Sequence, residues 1–201
     1  SMGALLLAGT LSAQTPVPEW QAGVDKVKTL IQSNPAQASE EAGELLKGKN
    51  KKNVDLVTSV AHVYLDAGKI TEAQEYLAMA KKANNKDPKV SVLEGDIALA
   101  QKNIGQACQL YEQAIYFDPN CKEAYLKYAQ AYKSASPTQA IEKLEQLKAV
   151  DPNCLEADRE LAEVYYSGNR FGKAAEMYAK FIDTPLATED DMLKYAFALF
   201  L

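Results

Sequence analysis

At 201 residues, with 47% hydrophobic and 24% charged side chains, the chain has the make-up of a soluble folded protein, either one large domain or an array of small units. A net charge of -5 and no long basic block argue against nucleic acid, where affinity comes mainly from Lys and Arg on phosphates. Ala, Leu, Lys, Glu and Gln set the composition, the residues that lose least in a helix, so an all-α fold is expected. In chain order, the first feature is the apolar run Ala4 to Ala8, then small residues up to Ser12-Ala13-Gln14. This has the form of the second half of a secretory signal peptide, with cleavage after Ala13. A short buried helix start is the alternative. No basic segment leads the run and Ser1 precedes Met2, so Ser1-Met2 reads as an expression remnant. The run is too short to span a bilayer, which takes ~20 residues. Residues 1–13 are therefore assigned to the residual signal and remnant, and 14–19 to a linker. The mature protein is expected to be exported, periplasmic or secreted.

Trp20 to Gln32 and Ala36 to Lys47, broken at Asn34-Pro35, read as a loosely patterned helix pair within 20–53. Lys47, Lys49, Lys51 and Lys52, interrupted by Gly48 and Asn50, read as a solvated loop. From residue 54 the chain repeats itself. The tetrapeptide Asp-Pro-Asn-Cys occurs at 118–121 and 151–154, and the residues after it match in spacing. Tyr125, Tyr128-Ala129, Tyr132, Ala140 and Leu144 follow the first; Asp158, Leu161-Ala162, Tyr165, Ala174 and Tyr178 follow the second. The same pattern runs upstream through Ser91, Gly95, Ala107 and Tyr111, and before that through Val57, Ala61, Tyr64 and Ala73. Units begin near 54, 88, 122, 155 and 189, at steps of 34, 34, 33 and 34.

Each unit carries two apolar runs at helical spacing, too short to be stable alone, since isolated helices under ~12–15 residues are marginal. Small residues fall where paired helices must approach: Ala61, Gly95, Ala129 and Ala162 on the first, Ala73, Ala107, Ala140 and Ala174 on the second. Such pairs bury their apolar faces only by stacking on neighbours. Thr71 with Gln74, Ser136 with Gln139, Asn120 with Glu123 and Asn153 with Glu156 have capping-box spacing, the last two placing Cys121 and Cys154 in a first helical turn. The residue missing from the 33-residue unit is placed in the turn 134–136.

The pattern resembles the tetratricopeptide repeat (TPR), in which a large residue, Leu-Gly, Tyr, Ala, an aromatic and Pro recur at fixed offsets. The resemblance gives repeats at 54–87, 88–121, 122–154 and 155–188, a degenerate pair at 20–53, and the first helix of a truncated further repeat at 189–201. It implies an all-α, right-handed superhelical solenoid of antiparallel helix pairs.

Candidate chemistry is sparse. A helix N-terminus lowers a thiol pKa, and Lys122 would add to this at Cys121. Equivalent points on stacked helices lie ~8–10 Å apart or more, beyond the ~7 Å limit for a disulfide, and Cys108 has no partner at a suitable spacing. With one histidine and no paired-cysteine motif, no metal and no cofactor is expected. His62 lacks a nucleophile or orienter near it in sequence and reads as a groove-facing surface residue. Glu156, Glu160 and Glu163 with Arg159 read as a solvated face. No catalytic residue is assigned and no enzyme activity is expected; a redox role through Cys121 is the enzyme-like alternative.

What remains is the surface that stacking creates. In the family the first helix of each pair lines the concave face, so the resemblance implies a groove for a protein or peptide partner. Its positions are Asp55, Thr58, His62 and Asp66; Lys89, Val92, Asp96 and Leu99; Glu123, Leu126, Gln130 and Lys133; and Glu156, Arg159, Glu163 and Tyr166. The family's carboxylate clamp is absent, because Thr58, His62, Leu93, Glu123 and Lys127 stand at its places. Thr188 should cap the last helix, whose Met192, Tyr195, Ala196, Leu199 and Phe200 form an apolar stripe suited to self-association. The sequence therefore reads as an exported, non-enzymatic interaction module, a scaffold or assembly factor. A self-associating structural subunit is the alternative.

Overall fold

The computed structural model describes residues 16–201, so the signal-like segment 1–13 lies outside the described residues. The described chain is a run of helices: α1 (Gln21–Ser33), α2 (Pro35–Leu45), a short 3₁₀ helix (Gly48–Lys52), α3 (Val54–Asp66), α4 (Ile70–Asn84), α5 (Pro88–Ala100), α6 (Ile104–Phe117), α7 (Lys122–Tyr132), α8 (Pro137–Val150), α9 (Leu155–Ser167), α10 (Phe171–Tyr178) and α11 (Glu189–Phe200). There is no strand among the described residues.

Local chemistry starts most of these helices. Asn34, Asn53, Asp87 and Asn103 each accept a bond from a backbone N–H of the first turn, which satisfies a donor the helix cannot. Pro35, Pro88 and Pro137 open α2, α5 and α8, where a missing N–H costs nothing. Thr188 and Asp191 form a reciprocal capping box on α11. Other expected caps are displaced. Thr71 lies inside α4, whose N-cap is Lys69, and Ser136 precedes α8 without a side-chain bond. At the two Asp-Pro-Asn-Cys sites the cysteines are the N-caps. Asp118 and Asp151 do the bonding there, accepting from the N–H of Asn120 and Asn153 at 2.9 and 3.2 Å. An aspartate bonding two residues on closes its own turn, and Asn is left without the role.

Antiparallel pairs α1/α2, α3/α4, α5/α6, α7/α8 and α9/α10 stack in sequence into a solenoid. First helices touch one another directly, α1 on α3, α3 on α5, α5 on α7 and α7 on α9, and form the inner side. The turn inside a pair repeats too. Gly68, Lys102 and Asn169 stand at equivalent places with φ of 75°, 63° and 57°, a left-handed conformation that Gly and Asn take most easily. The α7–α8 turn, residues 133–136, contains no left-handed residue and is longer than the others. The 33-residue unit is short because α7 has 11 residues where α3, α5 and α9 have 13, and not because of a residue missing from the turn 134–136.

No pair is self-sufficient, because one helix serves two interfaces. On α5, Val90, Leu93 and Ile97 join the core of α1 to α4, while Val92 and Ala98 join α6 and α7. On α7, Ala124 and Tyr128 face backward, and Tyr125 and Ala129 face forward onto α8, α9 and α10. Leu56, Leu93, Tyr111, Leu144, Leu161, Tyr178 and Phe181 are fully buried, each stabilising the stack by about 1.5–3 kcal/mol. Asp158, at a position where the repeat usually has a large residue, is 1% exposed and held by Lys148 at 2.8 Å and Lys180 at 3.2 Å. On α11 the apolar stripe is present and exposed, with Met192 at 51%, Leu199 at 63% and Phe200 at 87%.

Gly95 marks the tightest approach. A Cβ built there would lie 2.5 Å from Cε1 of Tyr111, a fully buried ring whose hydroxyl is bonded to Asp96 at 2.8 Å. Gly95→Ala gains about 1 kcal/mol of helix propensity but incurs overpacking of about 1–3 kcal/mol and strains a hydrogen bond of about 1 kcal/mol. A net loss of about 1–2 kcal/mol is expected in urea unfolding; an unchanged midpoint would mean that the α5–α6 interface yields freely.

Candidate functional site

The inner side is built from one stripe of each first helix at spacings of three and four residues. α3 offers Asp55, Thr58, His62 and Asp66, and α5 follows with Lys89, Val92, Asp96 and Leu99. α7 and α9 continue it with Glu123, Leu126, Gln130 and Lys133, then Glu156, Arg159, Glu163 and Tyr166. Not all of these are surface. Thr58 is buried, its hydroxyl donating to the Val54 carbonyl at 2.8 Å, and Val92 belongs to the core. Asp55, Asp66, Lys89, Leu99, Glu123, Gln130 and Lys133 are exposed; the others are half-buried.

Most of the charges are paired across neighbouring first helices. Lys89 bonds Asp55, and Lys122 bonds Glu156 at 2.9 Å, each pair 34 residues apart. Gln130 donates to Glu160 at 2.7 Å. Arg159 lies 3.1 Å from Asp191, a carboxylate that is 1% exposed. A three-part arrangement occurs twice, two units apart. Asp96 accepts from the Tyr111 hydroxyl at 2.8 Å and lies 2.9 Å from Lys127. Glu163 accepts from Tyr178 at 2.8 Å and from Lys194 at 2.8 Å. In both, an acid on one first helix is bonded by the tyrosine of its own second helix and the lysine of the next first helix.

His62 bridges α3 and α5 on the inner side. Nδ1 donates to the Thr58 carbonyl at 2.9 Å, and Nε2 meets Asp96 at 2.9 Å. Burial opposes a charge on the ring, but the bonded Asp96 carboxylate outweighs it and raises the pKa above the ordinary 6.5. Lys127 pulls the other way and Glu123 assists. Asp96 is itself pushed up by burial, yet His62, Lys127 and Tyr111 bring it below the usual carboxylate value. So the histidine is a bonded member of a network and not a free surface group.

Two depressions meet at His62. One of about 330 Å³ runs between Trp20, Pro18, Asp55, Ser59, Lys89 and Glu123. The other, about 350 Å³, lies between Leu65, Asp66, Asp96, Leu99 and Lys127. Trp20 and Pro18 are absent from the stripe read off the sequence, because they precede α1 and reach the groove only through the fold. Lys127 is likewise outside the stripe.

The thiols carry no activated site. Burial raises the pKa of Cys108 to about 11, and raises Cys121 and Cys154 despite backbone N–H bonds from Ala124 and Ala157. The expected lowering by a helix N-terminus is overridden, since both sulfurs lie at N-caps against neighbouring carboxylates and apolar groups. Among the described residues no group of three or more His, Cys, Asp or Glu could hold a metal, and no helix is long and apolar enough to cross a membrane.

The family model described as "Tetratricopeptide repeat" matches residues 61–121 and 130–187. No curated protein matches the sequence. Among solved structures, a thermophilic TPR protein of Thermus thermophilus is 20% identical, with 90% of this chain and 99% of that one covered at a TM-score of 0.67. PilW, a widely conserved type IV pilus biogenesis factor, is 18% identical over 92% of this chain and 88% of its own, at 0.68. YrrB, a TPR protein with an unusual peptide-binding site, is 17% identical over 89% and 91%, at 0.55. At these identities the likeness is one of fold.

His62 yields a pH test. Its folded pKa lies above its ordinary value, so its contribution to stability is fully present below about pH 6.5 and lost as pH rises through the folded pKa. Urea unfolding should show His62→Gln losing more stability relative to the parent at about pH 5.5 than at about pH 8. Equal losses at both would mean that Asp96 does not hold the charged ring.

Proposed function

Because the chain belongs to the tetratricopeptide-repeat family, we propose that it is a non-enzymatic protein–protein interaction module that holds a partner segment along its first-helix side, with 54–87, 88–121, 122–154 and 155–188 as its repeats. The observation that carries this reading is the pair of depressions meeting at His62, lined by acid, base and apolar groups in alternation. Such a surface suits an extended segment of mixed composition, whose main chain and side chains both find partners. Lys133, Gln130 and the apolar Leu99 stand exposed along the same side. YrrB is a precedent for peptide binding on this fold, and PilW for a role as a biogenesis factor. Arg159 supports the groove indirectly, by holding Asp191 at the start of α11.

A photo-cross-linking residue at Leu99 or Gln130 should trap a defined partner from an extract of the source cells, and one at the outer position Gln139 should not. Leu99→Glu should weaken that capture roughly tenfold. Equal trapping at Gln139 would place the partner elsewhere.

We further propose that the protein is exported. The run Ala4 to Ala8 followed by Ser12-Ala13-Gln14 supports this reading. Protein recovered from its own cells should begin at Gln14 and partition with the envelope or the medium. A cytosolic form still carrying residues 4–13 would overturn it.

A further inference from the structure

The lysines of the stretch before α3 are exposed, as expected, but the stretch is not an open loop. Gly48–Lys52 forms the 3₁₀ helix and packs against α3 and α4, and Asn50 Nδ2 donates to the Leu45 carbonyl at 2.8 Å, fixing its path. This brings Lys51 and Lys52 beside Lys82 around a depression of about 410 Å³ on the outer side of α4. Its floor is Met79 with Ala83, both half-buried and packed on the core. Glu75 is the one acid in the lining. Lys47 is paired with Glu44 and Lys81 with Glu94, whereas Lys51, Lys52 and Lys82 enter no ion pair among the described residues. On a chain of net charge -5, this is a local concentration of free positive charge over an apolar floor. The negative end of the α4 helix favours cations at its last turn, where Lys82 stands.

We propose that this depression is a second docking site, separate from the groove, for an acidic segment of a partner protein that inserts one apolar side chain against Met79. The lysine rim is complementary in charge and would steer such a segment. Methionine, unbranched and polarizable, adapts to an apolar side chain of varied shape. The apolar atoms lie recessed below the lysines, so the site receives a side chain. A site that binds a lipid surface instead projects apolar side chains outward. Because its lining shares no residue with the two depressions at His62, it can be filled with the groove occupied or empty.

The test uses the full chain and a labelled peptide of Asp and Glu around a single Leu, with a second peptide carrying Gly in place of Leu, followed by fluorescence anisotropy. The Leu peptide should bind, roughly tenfold more weakly to the Lys51→Glu/Lys82→Glu variant, and more weakly as salt rises from about 0.05 M to about 0.3 M. Met79→Ala should weaken binding and Met79→Leu retain it, while the groove variant Leu99→Glu leaves it unchanged. Far-UV circular dichroism confirms that each variant is folded. No binding, equal binding of the Gly peptide, or insensitivity to the lysine variant overturns the proposal. So does preferential binding to vesicles rich in anionic lipid that the same lysine variant abolishes, which would assign the site to a membrane surface.

Discussion

Everything in this molecule depends on how closely the two helices of a pair can approach. That distance is set by one small residue on each first helix: Ala61, Gly95, Ala129 and Ala162, all buried. At Gly95 there is no room for even a methyl group, since the Tyr111 ring occupies it. Close approach lets the large side chains of the second helix fill the interface, and the successive first helices then fall into contact. From that contact comes the regular crossing of side chains 34 residues apart that forms the inner side.

The charges on that side act mainly on register. Exposed pairs such as Lys122 with Glu156 are worth about 0–1 kcal/mol each, so they add little to stability. They do fix which residue of one helix faces which residue of the next. The buried acids are different. Asp158 and Asp191 are each enclosed and each held by cations, and removing the cations would leave a buried charge unpaired, at about 3–5 kcal/mol. Arg159 and Lys148 therefore belong to the frame, although they stand at polar positions. The twofold Asp96–Tyr111–Lys127 and Glu163–Tyr178–Lys194 arrangement combines both functions, tying a second helix to the next first helix while keeping the acid beside the groove.

Sequence and structure part company where a residue has two neighbours competing for it. Asn120 and Asn153 have the spacing of helix caps, but the preceding aspartates close the turn first. Cys121 and Cys154 stand at helix starts, yet burial governs their thiols. Thr58 and Val92 lie on the inward stripe and are nonetheless covered, because adjacent first helices pack more closely there than the stripe alone implies. His62 was legible as inward-facing; its bond to Asp96 was not, as the two are 34 residues apart and meet only through stacking.

The sequence by itself determined the helical class, the period, and the small and large positions that make stacking the sole way to bury the apolar faces. Those are properties of a single unit, and a repeated unit writes them several times. Tertiary structure alone decided which stripe residues remain exposed, which charges neutralise one another, and that Trp20 and Pro18 reach the groove. It also turned a stretch of lysines into a rim over Met79. The reason is geometric: these features join residues from different helices at distances no local spacing encodes, and they exist only once each pair has docked on the next.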